Sequence, residues 1–315
     1  MKKFLLMIGL LLPCAAGAQV LSGTYMFAQR DTCDLYLDVY APSQDAVMYA
    51  DSLAKPTIVY VFGGGFITGR RNDPFILPWV KTLTDNGYRV VCTDYRLGLK
   101  GKKIRFDLFN ILKSAKATKE AVDIGVDDTF AAVRFLCDNA DALGIDPDNI
   151  VVSGSSAGAI ISLSCELETC TPTERTAQLP EGFRFKGVMS FAGAIMSDSG
   201  LPRYSIEPAP HLLFHGTADE AVVYDKTAFG RFGFYGSSSL VKDIYAPKGY
   251  PYCIYRFKGH SHDIAAHMLA TWPEQKLFLE RNVILGLHRT VDAIVDDPAV
   301  PAWKKISISV KDIYK

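Results

Sequence analysis

The sequence predicts an α/β fold, a mostly parallel central sheet with helices on both faces. Three observations lead there. Short apolar runs, dense in Val and Ile, recur along the chain, as strands buried on both faces require. Stretches with helical spacing alternate with them. Glycine turns, serines, acids and histidines gather just after the runs, where an open parallel sheet presents its ligand crevice.

The elements follow in order. Met1-Lys2-Lys3, the apolar run 4–12 and Ala16-Gly17-Ala18 read as a secretory signal peptide, residues 1–18, cleaved before Gln19. Leu11-Leu12-Pro13-Cys14 resembles a bacterial lipobox, with Cys14 as the lipidated residue. Pro13 stands where that pattern takes a small residue, so simple cleavage is preferred. Residues 19–315 then form a single domain, secreted or periplasmic, with no further run apolar and long enough to span a bilayer.

Strands are predicted at 35–40 (stopped by Pro42), 57–62 (stopped by three glycines) and 88–93 (ending at Asp94). A helix over 127–143 ends at Gly144. A strand at 149–153 leads into a small-residue helix from Ser156. Further strands lie at 186–191, 211–215 and 252–257. The stretch 264–287 reads as one C-terminal helix or two, interrupted by Pro273. Residues 98–120 read as a basic insertion, 168–185 and 225–250 as loops or lid-like excursions, and 290–315 carries no legible motif.

Composition excludes several functions. Thirty-four basic residues balance 34 acidic ones among 315, and 49% of the chain is hydrophobic. Such a chain is too apolar for disorder and has no basic footprint for nucleic acid. Loss of the leader removes Cys14 and leaves Cys33, Cys92, Cys137, Cys165, Cys170 and Cys253. An exported chain permits disulfides, with Cys165 and Cys170 as the best local pair, whereas Cys92 and Cys253 sit in strand-like runs as buried thiols. No Cys-x-x-Cys or His-rich spacing suggests a metal, and no cofactor is expected.

Three motifs carry the chemistry. Gly154-Ser155-Ser156-Ala157-Gly158 lies between a strand and a helix, the setting a G-x-S-x-G elbow requires. The sharp reversal needs glycines and thrusts the Ser156 hydroxyl toward a helix N-terminus. Phe62-Gly63-Gly64-Gly65-Phe66 ends the strand from Thr57 and can turn backbone N–H groups toward one oxyanion. A phosphate loop is excluded by the missing Gly-Lys-Ser/Thr, and a dinucleotide loop by the missing G-x-G-x-x-G. Last, His215-Gly216-Thr217-Ala218-Asp219-Glu220 and Gly259-His260-Ser261-His262-Asp263 each follow a strand. The order Ser156, Asp219, His262 is one that a serine hydrolase uses.

With these residues in place, the chain resembles the α/β-hydrolase superfamily, in particular secreted carboxylesterases with an HGGG-type oxyanion loop, including feruloyl- and acetylxylan-esterase-like members. The likeness runs over roughly residues 31–288 and includes Asp94-Tyr95-Arg96-Leu97. Phe62 stands where the family usually has the histidine of the oxyanion motif.

The resemblance implies Ser156 as nucleophile, His262 as general base and Asp219 as its orienting acid. It implies an oxyanion hole from the N–H groups of Gly64, Gly65 and Ala157. The family's pattern laid on Gly259-His260-Ser261-His262 favours His262 over His260, and His-Gly-Thr-Ala-Asp favours Asp219 over Glu220 and Asp225. His215 is expected to have a structural task, and His211, His267 and His288 to be surface or core residues. Asp94 is expected to fix the turn containing Arg96, and Asp128 to anchor a helix. The expected substrate is a small-molecule or glycan ester, such as an acyl decoration of a polysaccharide. Two alternatives remain: a peptidase of the prolyl-peptidase-like type, and a catalytically inactive binding protein on the same fold.

Overall fold

A computed structural model describes residues 21–48, 53–105 and 109–296. The leader, Cys14, residues 106–108 of the basic insertion and the tail from 297 lie outside the described residues.

Nine strands form the central sheet: β1 (Leu21–Gln29), β2 (Asp34–Tyr40), β3 (Thr57–Val61), β4 (Arg89–Thr93), β5 (Ile150–Ser155), β6 (Gly187–Phe191), β8 (His211–Gly216), β11 (Tyr252–Phe257) and β12 (Val291–Val295). Their order is β1-β2-β4-β3-β5-β6-β8-β11-β12. β1 and β2 pair antiparallel with each other, as do β2 and β4, and the rest run parallel. Every residue of β3, β5, β6 and β8 is buried, which explains why their sequences carry short continuous apolar runs rather than an alternating pattern. A small antiparallel sheet sits beside the main one. It is built from β7 (Ala194–Ser197), β9 (Lys226–Phe229) and β10 (Phe232–Gly236), in the order β7-β10-β9.

The helices are α1 (Gln44–Met48), α2 (Leu77–Asp85), α3 (Ile111–Asp138), α4 (Ala140–Leu143), α5 (Ala157–Cys170), α6 (Ser237–Leu240), α7 (Ala246–Lys248) and α8 (Trp272–Phe278). α5 packs between the sheet and α3. At Gly125 of α3 an added methyl would strike the Ile161 side chain of α5, so the missing side chain permits the close approach. Gly144 closes α4 in the left-handed conformation, at φ 62°.

Several expectations are corrected. The basic segment 98–120 is not an excursion throughout, because α3 begins at Ile111 and runs for 28 residues. Its buried positions there are Ser114, Ala115, Thr118 and Ala121, small or polar residues that leave little trace of helical apolar spacing. The 225–250 stretch supplies the β9–β10 hairpin and two short helices. α5 extends to Cys170, and a 3₁₀ turn (Glu174–Gln178) occupies part of the expected loop after it. Pro273 opens α8 instead of interrupting a helix, since a first-turn proline gives up no intrahelical bond. β1, β7 and β12 were not legible.

All six described cysteines are free. Cys165 and Cys170 share α5, and five residues along a helix point to different faces. The Cys170 thiol donates to Glu166 Oε1 at 3.1 Å instead of forming a disulfide.

Asp94 does not hold Arg96. It accepts from the backbone N–H of Tyr36 and pairs with Arg71 at 2.6 Å. Arg96 is held by the fully buried Asp128, which takes its backbone N–H at 2.9 Å and its guanidinium, and which also pairs with Arg30.

Candidate active site

The site is built where β3, β5, β8 and β11 end. β5 runs straight into the elbow, and Ser156 adopts φ 53°, ψ −120°. A left-handed conformation at a non-glycine residue costs about 1–3 kcal/mol and must be imposed by its surroundings. Here two glycines impose it. A side chain at Gly154 would occupy the carbonyl of Gly158, and one at Gly158 would occupy the carbonyls of Val61 and Phe62. The turn is also pinned by its own bonds: the Ser156 N–H donates to Phe191 O at 2.9 Å, and the Ser155 hydroxyl donates to Ala265 O at 2.7 Å. This second bond ties the elbow to the turn that carries His262.

Ser156 Oγ lies 2.8 Å from His262 Nε2, and His262 Nδ1 lies 2.8 Å from Asp219 Oδ2. An ionised carboxylate only accepts, so Nδ1 carries the proton and Nε2 is left to accept from the serine hydroxyl. Asp219 is buried, and its other oxygen takes the backbone N–H groups of Ala221 and Val222 at 2.9 and 3.0 Å. Burial opposes its charge. Hydrogen bonds from His215 and His262 outweigh that penalty and hold the carboxyl well below the ordinary aspartate range.

His215 has the structural task that its place at the strand end suggested. Its Nε2 sits 3.0 Å from Val222 O and 3.3 Å from Asp219 Oδ2, and its Nδ1 faces the Ser237 hydroxyl at 2.8 Å. It braces the acid loop from below and does not reach Ser156. Glu220 is exposed, and Asp219 alone of the candidate acids contacts His262.

His260 is likewise placed away from the serine. It donates from Nδ1 to Asp263 Oδ2 at 2.7 Å, and Asp263 Oδ1 takes the Ser261 N–H at 2.8 Å. His267 is buried beside them, and its desolvation holds it below the ordinary histidine range. His211 is buried in the core, where loss of water pushes it down to about 3, while His288 is exposed.

The glycine loop presses on the elbow. A side chain at Gly63 would meet Ser155 O at 2.9 Å and Ser156 Cβ at 3.2 Å. Gly64 and Gly65 have φ of 131° and 62°. At Gly64 a methyl would also strike Thr68 O, so this position excludes any side chain. Phe62, standing where a histidine is usual, stacks on Tyr95 with ring centroids 4.4 Å apart, and the Tyr95 hydroxyl donates to Phe62 O at 3.1 Å. Aromatic packing fixes the loop base here. Beyond the loop, Arg71 anchors its far end between Asp38 and Asp94, at 3.0 and 2.6 Å.

Ser156, His262 and residues 63–65 border one cavity of about 650 Å³. Its wall is mainly apolar, with Tyr60, Ile67, Phe75, Ile76 and Met268, while Arg70 and Asp73 bring charge.

Known proteins share parts of this architecture. The solved apo structure of Thermogutta terrifontis esterase 2 superposes with a TM-score of 0.56 at 21% identity, covering 85% of this chain and 96% of that one, a likeness of fold. Para-nitrobenzyl esterase of Bacillus subtilis (strain 168) is 30% identical over 148 residues, 47% of this chain and 27% of that protein. Juvenile hormone esterase of Tribolium castaneum is 26% identical over 174 residues, 55% of this chain and 25% of that protein. The chain thus spans about a quarter of the length of the curated relatives it matches. The model of the carboxylesterase family matches residues 13–181, more than half of the chain. That match includes both the glycine loop and the serine elbow, on a sheet whose neighbours among solved structures are esterases, and the chain belongs to the carboxylesterase family.

Proposed function

We propose that this protein is a serine hydrolase that cleaves carboxylic esters through an acyl-enzyme intermediate. The observation that carries the reading is the unbroken pair of 2.8 Å hydrogen bonds from Asp219 through His262 to Ser156, at the mouth of an apolar cavity.

His262 Nε2 takes the Ser156 proton as Oγ attacks the ester carbonyl carbon. The resulting oxyanion is held by backbone N–H groups. The first is that of Ala157, a helix N-terminal group with no partner of its own in the helix. Gly64 and Gly65 supply the others. Each such donor contributes about 3–4 kcal/mol by deletion. The C–O bond then breaks, and the alcohol leaves with the proton returned by His262. Water repeats the sequence, with His262 as base again, and releases the acid.

The finer reading is that residues 1–18 direct export and are cleaved, that residues 19–315 form one hydrolase domain, and that the substrate is an acyl decoration of a polysaccharide. The sequence pattern of the leader supports the first, and the resemblance to carbohydrate esterases supports the last.

Exposure of the folded protein to a fluorophosphonate should place one adduct on Ser156, and p-nitrophenyl acetate should be hydrolysed. An aminoacyl-nitroanilide should not be. Absence of an adduct at Ser156 in folded protein would falsify the enzymatic reading. Release of acetate or ferulate from decorated xylan tests the polysaccharide assignment separately.

A further inference from the structure

On the same loop and turn as His262 lies a cluster that the hydrolytic chemistry does not use. One potential ligand atom from each of His260, Asp263 and His267 lies within 4.8 Å of the other two. The His260–Asp263 separation is 2.7 Å, and His267 Nε2 stands 3.5 Å from the same carboxylate oxygen. In a tetrahedral shell with metal–nitrogen and metal–oxygen bonds near 2.1 Å, neighbouring ligand atoms are about 3.4 Å apart. The two separations bracket that spacing.

A second observation points the same way. His267 is 4% exposed, and neither of its ring nitrogens has a hydrogen-bond partner. A neutral imidazole always carries one N–H and one lone pair, and burying both without partners is costly. His267 follows the 3₁₀ turn His262–Ala266, and its backbone is paired, the N–H with Ile264 O and the carbonyl with the Thr271 N–H, so the ring alone lacks a hydrogen bond. Its ring is instead aimed at the carboxylate, and it stands nearly perpendicular to that of His260, at 82° with centroids 5.8 Å apart.

We propose that His260, Asp263 and His267 form a binding site for a divalent first-row transition ion of the zinc class. Two imidazoles and a carboxylate suit such an ion, and a water completes the shell. Binding replaces the hydrogen bond from His260 Nδ1 to Asp263 by two metal bonds. The proton leaves Nδ1, and a neutral ring takes it up at Nε2 as it changes tautomer. Asp263 keeps its bond from the Ser261 N–H through Oδ1, an orienting contact of the kind metal carboxylates use. The ligands bracket His262 in sequence, so the ion would staple the turn that presents the imidazole to Ser156. This site stands independently of the esterase reading, since it uses none of Ser156, His262 or Asp219.

The test uses the full mature chain, stripped with chelator and reloaded with Zn²⁺. One equivalent should survive dialysis, and Tm should rise by about 5 °C or more once free Zn²⁺ exceeds its Kd a hundredfold. His267→Asn and Asp263→Asn should each weaken binding at least tenfold. Co²⁺ should give visible d–d absorption without a thiolate charge-transfer band. Should a variant not fold, pulsed EPR of the Cu²⁺-loaded wild type counts the imidazoles bound. Two imidazoles support the site, and one or none overturns it. No retained equivalent in the wild type, equal binding by folded variants, or a thiolate band pointing to the cysteines overturns it as well.

Discussion

The imidazole of His262 and the hydroxyl of Ser156 meet at 2.8 Å although 106 residues separate them. The contact exists because β5 and β11 run parallel in one sheet, with β6 and β8 between them, and both release their chain at the same edge. The Ser155 hydroxyl bonded to Ala265 O then locks the two loops together.

Ser156→Ala should abolish ester hydrolysis, with kcat/KM falling by at least about 10⁴-fold, because the residual rate comes only from binding and the oxyanion donors. Thermal unfolding should change little. A rate within tenfold of wild type would rule out Ser156 as the nucleophile.

The two loop histidines should separate cleanly. His262→Ala should match the loss of Ser156→Ala, since base and nucleophile act as one unit. His260→Ala should leave measurable turnover, with the loss appearing as a lower Tm, because it removes the bond to Asp263. Reversed outcomes in the same assay would exchange their roles.

Asp219→Asn keeps the shape but offers an amide where His262 Nδ1–H needs an acceptor. A drop of about 10⁴-fold in kcat is expected. Stability should shift with pH in a defined sense. The Asp219 pKa is depressed on folding, so its contribution is complete above the unfolded value near 3.9 and fades as pH falls toward the folded one. Denaturant midpoints of the wild type should fall in that acid range more steeply than those of the Asn variant.

His211 acts at milder pH. It is buried neutral with its pKa pushed down to about 3, so the unfolded chain binds a proton that the folded chain refuses. Stability should decline as pH drops from about 6.5 toward 3, by up to about 1.4 kcal/mol per unit from this group. His211→Phe, which retains a ring against Tyr245, should flatten that slope in urea titrations.

Gly158→Ala tests the packing of the elbow. The added methyl would land on backbone carbonyls of Val61 and Phe62, which cannot swing away as a side chain could. A loss of about 3 kcal/mol or more is expected, measured by denaturant unfolding, together with lost labelling of Ser156. An unchanged midpoint would show that the helix can shift to make room.

Much of the site was legible because its chemistry is written in local patterns. Gly154-Ser155-Ser156-Ala157-Gly158 announces a strand-to-helix reversal, and the glycines of 63–65 announce a close backbone approach; both demands are met within a few residues of chain. The alternation of buried strands and helices likewise follows from apolar runs that no other layered arrangement buries on two faces. The start of α3 was hidden because its buried positions, Ser114, Ala115, Thr118 and Ala121, are small or polar and leave no apolar period. β12 was hidden because an edge strand is only half buried and needs no continuous apolar run.

Sequence alone determined the fold class, the elbow serine and the order of its candidate partners, since these depend on backbone conformation and burial over short spans. Tertiary structure decided which histidine faces Ser156 and which acid faces that histidine, that His215 braces Asp219, and that Cys165 and Cys170 remain thiols. Those outcomes depend on which strand ends lie side by side and on how far a side chain reaches across them. Such distances between remote segments are set only when the whole sheet is assembled.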